Sequence, residues 1–393
     1  KSKIVKNENV LENSLDLNLF SEDLSVETDF KVYEDLNKNK NDRYEFILPK
    51  IFISKKIKNK TNLNGNFLFE SNNLIKNYQT NIFEKINTND LIFKSNPNIY
   101  KNAFYNNYEF ILRNTNSDSE KSKKYKNNEN YYLSGMFQYN SSLPLIKEDK
   151  NFQNILTPRI SLRISPDHTK NETKEDSRRI DINNIYGLKR LQSTDEDTLE
   201  GGASITIGKE YSRINKETSN ENLAIKLANN IRLNESKDFP AHNQMGLKNS
   251  NLFGEVQYNP NEFLSTKYNF SLKNDLDNFA YENLEANFNI FNFTTSFEYL
   301  NENEIINKKS YFLTELKYKF DDSKSINFSK RENNEKDLTE YYKLIYEYKN
   351  DCLSASIEYN KNFYDDRDIK PEENIFLKLN IMPFGQIART PDL

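Results

Sequence analysis

Chemistry has few places to start in this chain. Its two histidines, His168 and His242, stand 74 positions apart in loop-like sequence, without the close spacing by which imidazoles share a metal ion. Asp195, Glu196 and Asp197 form a carboxylate run that could hold a divalent cation. The alternating ligands and central glycine of a calcium loop are missing, however, and the run reads as a solvated acidic turn. Gly201 and Gly202 lead into a strand pattern rather than the Gly-Lys-Ser/Thr of a phosphate loop, so they read as a glycine bulge at a strand start. No Gly-x-Ser-x-Gly nucleophile motif occurs, and histidine is too scarce to supply an obvious general base. The expectation is therefore no catalytic, cofactor or metal site. A hydrolase assembled from dispersed Ser, Asp and His near one rim stays open as an alternative. Cys352 is the single cysteine, so an internal disulfide is impossible; the thiol is either unpaired or bridges to a partner or a segment outside this sequence.

The elements that would carry such residues are strands. From Arg178 to Tyr211 the chain reads as one large hairpin: Ala203, Ile205, Ile207 and Tyr211 share one parity on the second arm, with Ser204, Thr206, Gly208 and Glu210 on the other. The first arm alternates more loosely through Ile180 and Ile182 against Asp181 and Asn183. Upstream, Leu15, Leu17 and Leu19 turn at Glu22-Asp23 into Leu24, Val26, Phe30 and Val32. Tyr44, Phe46 and Leu48 alternate before Pro49, a residue suited to a bulge or an edge. Phe67 and Phe69 mark another strand, weaker ones follow near 77–86 and 107–114, and Tyr131 to Tyr139 and Ile160 to Ile164 restore a clear period of two. Downstream the pattern continues to Ile375–Ile381. Roughly 19 or 20 strands of about ten residues emerge, the length a tilted strand needs to cross a bilayer and longer than is usual in soluble sandwiches.

Composition agrees. Hydrophobic residues make up 36% of the 393, yet 24 Tyr and 27 Phe bring aromatics to 13%, which suits a sheet with one apolar and one polar face better than a disordered chain. The formal charge of −4 gives no basic field for nucleic acid. No run is long and apolar enough for a transmembrane helix, and the N-terminal residues contain no signal-peptide core. The chain is thus either soluble or a barrel whose leader lies outside this sequence. In the last third, long connections alternate with short ones, as extracellular loops alternate with periplasmic turns in outer-membrane barrels. Tyr258, Tyr299, Tyr318, Tyr348 and Tyr359 sit at strand ends, where an interfacial aromatic girdle belongs. The fold expected is all-β: a large antiparallel transmembrane β-barrel of outer-membrane type, with residues 1–382 in the barrel and 383–393 a short periplasmic tail.

Three stretches, Leu156 to His168, Arg179 to Tyr211 and Asn350 to Gly385, with Arg43 to Ile51 beside them, resemble the C-terminal barrel of the LptD family of lipopolysaccharide-assembly proteins, also called the organic solvent tolerance family. The resemblance implies a non-enzymatic outer-membrane translocon of a Gram-negative bacterium that inserts lipopolysaccharide into the outer leaflet. Its implied partners are lipopolysaccharide, an LptE-like plug lipoprotein, outer-membrane lipids, and a periplasmic Lpt bridge reached through an N-terminal jelly roll. On that reading the sequence is an incomplete C-terminal fragment of the barrel, since the leader, the jelly roll and the first strands are not in it. The family's paired cysteines are reduced here to Cys352, which leaves an interdomain disulfide open. The family's lateral seam maps onto the strand taken as last, where Ile375, Leu377, Leu379 and Ile381 should face lipid and Phe376, Lys378 and Asn380 the lumen. A diffusion porin or receptor-type barrel and a soluble Asn-rich sheet are the remaining alternatives.

Overall fold

The computed structural model describes residues 10–36, 38–40, 42–79, 81–99, 103–122, 125, 127, 129–166, 180–191, 199–236, 239, 244–303, 308–363 and 371–381, and the backbone of 385–389. His168, His242, Arg178, Arg179 and the Asp195 to Asp197 run lie outside them.

The period-two segments form strands β1 (Val10–Phe20), β2 (Leu24–Asp35), β3 (Tyr44–Ile57), β4 (Gly65–Tyr78), β5 (Ile82–Ser95), β6 (Asn98–Ile99), β7 (Tyr105–Glu120), β8 (Asn130–Ser142), β9 (Leu145–Glu148), β10 (Phe152–Ser165) and β11 (Gly202–Asn215). The series continues with β12 (Glu221–Arg232), β13 (Leu252–Asn261), β14 (Leu264–Leu272), β15 (Phe279–Ile290), β16 (Phe293–Asn303), β17 (Lys308–Lys319), β18 (Lys324–Asn333), β19 (Leu338–Lys349), β20 (Leu353–Asn362), β21 (Glu372–Ile381) and β22 (Gly385–Arg389). All pair antiparallel in one 22-stranded sheet. It is a meander in which each long strand pairs with the next, the short β6 lying beside β7 and β9 beside β10. Nineteen strands are nine residues or longer.

The two faces are inverted relative to a water-soluble sheet. On β10, Leu156, Ile160, Leu162 and Ile164 are exposed on one face while Ser161, Arg163 and Ser165 are buried on the other. On β7, Phe110 and Leu112 are exposed, whereas Arg113, Thr115, Ser117 and Ser119 are buried. An exposed apolar face and a covered polar face make sense when hydrocarbon is the outer solvent and every backbone N–H and C=O is satisfied in the ladder. The molecule is an outer-membrane-type barrel wall, and the buried polar face is its lumen.

From β11 onward the connections lie alternately at two ends and are mostly longer at one, although 304–307, 320–323 and 334–337 are each four residues. Residues 233–251, 273–278, 304–307, 334–337 and 363–371 join strands at one end, here the loop end. Residues 216–220, 262–263, 291–292, 320–323 and 350–352 join them at the other, the turn end. Aromatic rings gather near the turn end, where Phe288, Phe291, Phe293, Tyr318 and Phe320 are exposed and Phe320 packs between Tyr318 and Tyr346. The register shifts across Pro49 on both sides of β3, the bulge expected there.

Three expectations are corrected. Residues 180–191 are a series of turns, not a strand arm: the Asp181 carboxylate accepts the backbone N–H of Asn183 and Asn184, and the Asn184 amide oxygen accepts that of Asp181. These local bonds offer the backbone an alternative to a ladder. The weak strand near 77–86 is instead the junction of β4 and β5, with Gln79 and Asn81 at positive φ. Finally, β21 is not the last strand. Residues 385–389, expected in a tail, pair as β22 with Leu377–Ile381.

Candidate functional site

Residues 180–191, in the connection from β10 to β11, fold back into the lumen. Ile180, Ile182, Ile185 and Leu191 bury their side chains with Ala228 and Phe253 of the wall and with Phe239 and Met245 of the 233–251 loop. Leu188 and Leu199 enter a second cluster with Ile92, Ile111 and Met136. Such apolar spots on an otherwise polar inner wall exist to receive this segment. Gly208 is part of the fit, because a Cβ there would collide with the Tyr186 hydroxyl. Tyr186 also lies under the Arg159 guanidinium, 4.3 Å from ring centroid to Cζ, and burial pushes its phenol up to about 12.

At the centre is Glu200, immediately before β11. Its Oε1 accepts from Arg190 Nη2 at 2.6 Å and Arg232 Nη1 at 3.0 Å, and its Oε2 accepts from Arg190 Nε at 2.7 Å and from Arg163. All four side chains are at most 3% exposed. Arg190 further donates to the Ile185 carbonyl, Thr206 Oγ1 and Asn230 Oδ1, and Arg163 donates to Gln138 and to the Gly187 carbonyl. Arg232 donates to the Gly201 carbonyl and lies over the Phe239 ring. Burial alone would raise the Glu200 carboxyl, but the charges of Arg163, Arg190 and Arg232 outweigh it and hold the group well below the usual carboxylate range. Gly202 starts β11 at φ +77°, the glycine-dependent strand start expected, and the Arg232 guanidinium occupies the space a side chain would need.

A second tether joins Lys189 to Asp90 at 2.7 Å and Glu70 at 2.5 Å, while Asp90 also takes a bidentate pair of bonds from Arg113 at 2.6 and 2.5 Å. Burial would lower the Lys189 ammonium, yet the two carboxylates raise it above its ordinary value. A third runs through Asn183 Nδ2 to Glu255 at 3.2 Å, a carboxylate that also holds Lys226 at 2.8 Å. Together these tethers make a charge-latched internal cover over the inner wall from β4 to β13.

Among the described residues, none covers the inner wall of β16 to β19. There a concavity of about 430 Å³ is lined by Thr294, Ser296, Glu315, Lys317, Asn327, Ser329 and Lys343, among others. On the same face Glu358 takes Lys343 at 2.7 Å and Lys378 at 2.6 Å. Of the sequence-predicted seam residues, Lys378 is therefore tied into the inner wall, with Phe376 opposite Glu358 and Asn380 opposite Ser354. Ile375, Leu377 and Ile381 are exposed on the outer face. Because β22 covers Leu377 to Ile381, Lys378 and Asn380 lie in the paired half of β21, while Phe376 lies in the half from Glu372 that β22 leaves uncovered. Cys352 is exposed in the turn between β19 and β20. Among the described residues, no group of three or more His, Cys, Asp or Glu is placed to hold a metal ion.

Sequence reasoning missed the latch. The signal was present in residues 180–191, where isoleucines and leucines persist without a strand's parity, and in Glu200 flanked by Leu199 and Gly201. Charged residues on isolated strands do not reveal which of them a returning loop will bury together.

The family model described as LptD, LPS transport system D, matches residues 1–323, so the stretch Asn350 to Gly385 lies beyond the matched part. No curated protein matches the chain. Among solved structures, a mutant of the ferric enterobactin receptor PfeA from Pseudomonas aeruginosa in complex with enterobactin is similar at 9% identity, over 95% of this chain and 71% of that one, with a TM-score of 0.44. The siderophore receptor PirA from Acinetobacter baumannii is similar at 8% identity, over 97% of this chain and 73% of that one, with a TM-score of 0.46.

Proposed function

The chain belongs to the LptD family, LPS transport system D, of the Gram-negative outer membrane, and from that premise we propose that it inserts lipopolysaccharide into the outer leaflet. The sugar portion travels along the uncovered inner wall, and the acyl chains leave sideways at the edge of the sheet. The observation that carries this reading is the polar inner wall of β16 to β21, which no described residue covers, in a barrel whose outer face is largely apolar. Hydroxyl, amide and paired charged side chains can exchange hydrogen bonds with a passing sugar at little net cost, while the acyl chains find a matching solvent only outside the wall.

In this reading the loop end is extracellular and the turn end, with Cys352, is periplasmic. The seam lies at the β21–β22 edge, and the uncovered half of β21 that contains Phe376 is its opening; Lys378 and Asn380 anchor the paired half. An LptE-like lipoprotein enters the lumen and leaves a path along this wall, and lipopolysaccharide arrives from a periplasmic Lpt bridge. No residue is assigned to catalysis, because the reaction is transfer between solvents without bond cleavage.

In the full-length protein, a cysteine at Phe376 crosslinked to a cysteine on the strand facing it should stop lipopolysaccharide reaching the cell surface, and reductant should restore it. Undiminished delivery through the locked seam would contradict the proposal.

A further inference from the structure

The outer wall is not uniformly apolar. On β4, β5 and β7 the outward side chains Ser71, Asn73, Asn87, Asn89, Asn114 and Asn116 form one continuous hydrogen-bonded patch. Ser71 donates to Asn89 at 2.8 Å, Asn89 to Asn87 at 2.5 Å, and Asn116 to both Asn87 at 3.1 Å and Asn114 at 2.7 Å. Asn87 donates to Asn73, which donates to Ser71 at 3.1 Å. Their register places them in two adjacent rows across the three strands. Directly toward the turn end the next outward row is Phe69, Leu91 and Leu112. Toward the loop end the next outward row is Ile75, Lys85 and Asp118, followed by Asn77, Phe83 and Glu120, so charged and amide side chains there alternate with single apolar ones.

The apolar band on these strands is therefore only two or three outward residues tall. On neighbouring β10 it runs from Leu156 through Ile160 and Leu162 to Ile164, and on β8 exposed Leu133 and Tyr131 stand beside the amides at 64% and 68% exposure. A hydrocarbon layer that follows the band on β8 and β10 would bury neutral amides on β4 to β7. Their mutual bonds reduce that cost without supplying all the hydrogen bonds that primary amides can make. The wall has a notch, with chain-compatible residues below and amides above.

We propose that this notch seats an outer-leaflet glycolipid, its acyl chains against Phe69, Leu91 and Leu112 and its sugar hydroxyls and amide linkages on the asparagine patch. The vertical order of the surface matches that of the amphiphile. The patch is neutral and carries both donors and acceptors, which suits hydroxyl and amide groups rather than a phosphate, whose recognition calls for clustered cations. The proposal rests on the orientation assigned above, in which the loop end faces outward. The notch is a resting site for lipid on the outer wall, separate from the seam at the opposite end of the meander.

The test uses the full-length protein in its native complex, in nanodiscs of phosphatidylethanolamine with or without purified lipopolysaccharide. Lipid retained after detergent exchange is measured by native mass spectrometry. Replacing Asn87, Asn89, Asn114 and Asn116 with leucine should lower lipopolysaccharide retention about tenfold, the worth of one or two net hydrogen bonds, and leave phosphatidylethanolamine retention unchanged. A photo-crosslinker at Tyr131 should label lipopolysaccharide. Heat-modifiable migration of the variant reports that the barrel has folded; if the leucine variant fails this check, Asn89→Asp and Asn116→Asp, whose charges the patch does not match, replace it and should give the same loss. Equal retention by wild type and a folded variant, or crosslinks from Tyr131 to protein alone, would overturn the proposal. Orientation is read separately from Cys352 in intact cells: labelling by a membrane-impermeant maleimide would overturn the orientation, and with it this proposal. Shielded Cys352 with unchanged retention would overturn the notch alone.

Discussion

The inner wall has two halves that share a strand geometry but solve opposite problems. From β4 to β13 the wall is covered by residues 180–191 and 199–201, and the charges at the centre of the cover are dry: Arg163, Arg190 and Arg232 are 3%, 1% and 1% exposed around Glu200. From β14 to β21 no described segment covers it, and its cations remain wet, Lys343 and Lys378 being 36% and 40% exposed beside Glu358. The difference lies in what each charge can fall back on. In the wet half a broken pair is rehydrated, so the surface can exchange partners. In the dry half a broken pair strands a charge, so the cover is held in one arrangement.

The largest expected effect comes from breaking the dry half. Glu200→Ala leaves three guanidinium groups without their carboxylate and should cost about 3–5 kcal/mol in local stability, seen as accelerated hydrogen exchange over residues 180–191. Next is Gly208→Val, which drives a branched side chain into Tyr186 and should cost about 1–3 kcal/mol, read in the same exchange experiment and in near-ultraviolet dichroism of the displaced tyrosine.

Acid and base reach the covered half through different groups. Glu200 is depressed below the ordinary 4.5, so its contribution is complete above about pH 4.5 and is lost as pH falls through the lower folded value. Lys189 is raised above 10.5, so its contribution is complete below about pH 10.5 and is lost as pH rises through the higher folded value. Exchange protection of residues 180–191 should be flat between these limits and fall on both sides. The smallest effect belongs to the wet half: Lys378→Ala should change stability by only about 0–1 kcal/mol in a denaturant titration.

How much of this was legible in sequence follows from the same distinction. Alternation is local, so β10, β11 and the meander from β13 to β21 could be read directly from parity, and the loop-to-turn rhythm from their spacing. The exposed apolar face followed as well, because Ile160, Leu162 and Ile164 have no polar neighbour on their parity. The dry half was not legible, since Arg163, Arg190, Glu200 and Arg232 lie on four separate segments and only the return of the chain joins them. Residues 180–191 were misread because Ile180 and Ile182 imitate a strand, while Asp181 and Asn184 spend their side chains on turns. At β21, Lys378 pairs with Glu358 across the wall. The extra pairing with β22 had too short and weak a pattern in 385–389 to announce itself.

The most direct test of the account places photo-crosslinking residues in turn at Ser296 and Ser329 of the uncovered wall and at Ser204 and Thr206 beneath the cover, in the full-length protein during lipopolysaccharide delivery. The account predicts lipopolysaccharide adducts at Ser296 and Ser329 and none at Ser204 or Thr206. Adducts confined to the covered positions, or absent from the uncovered wall while delivery proceeds, would contradict it.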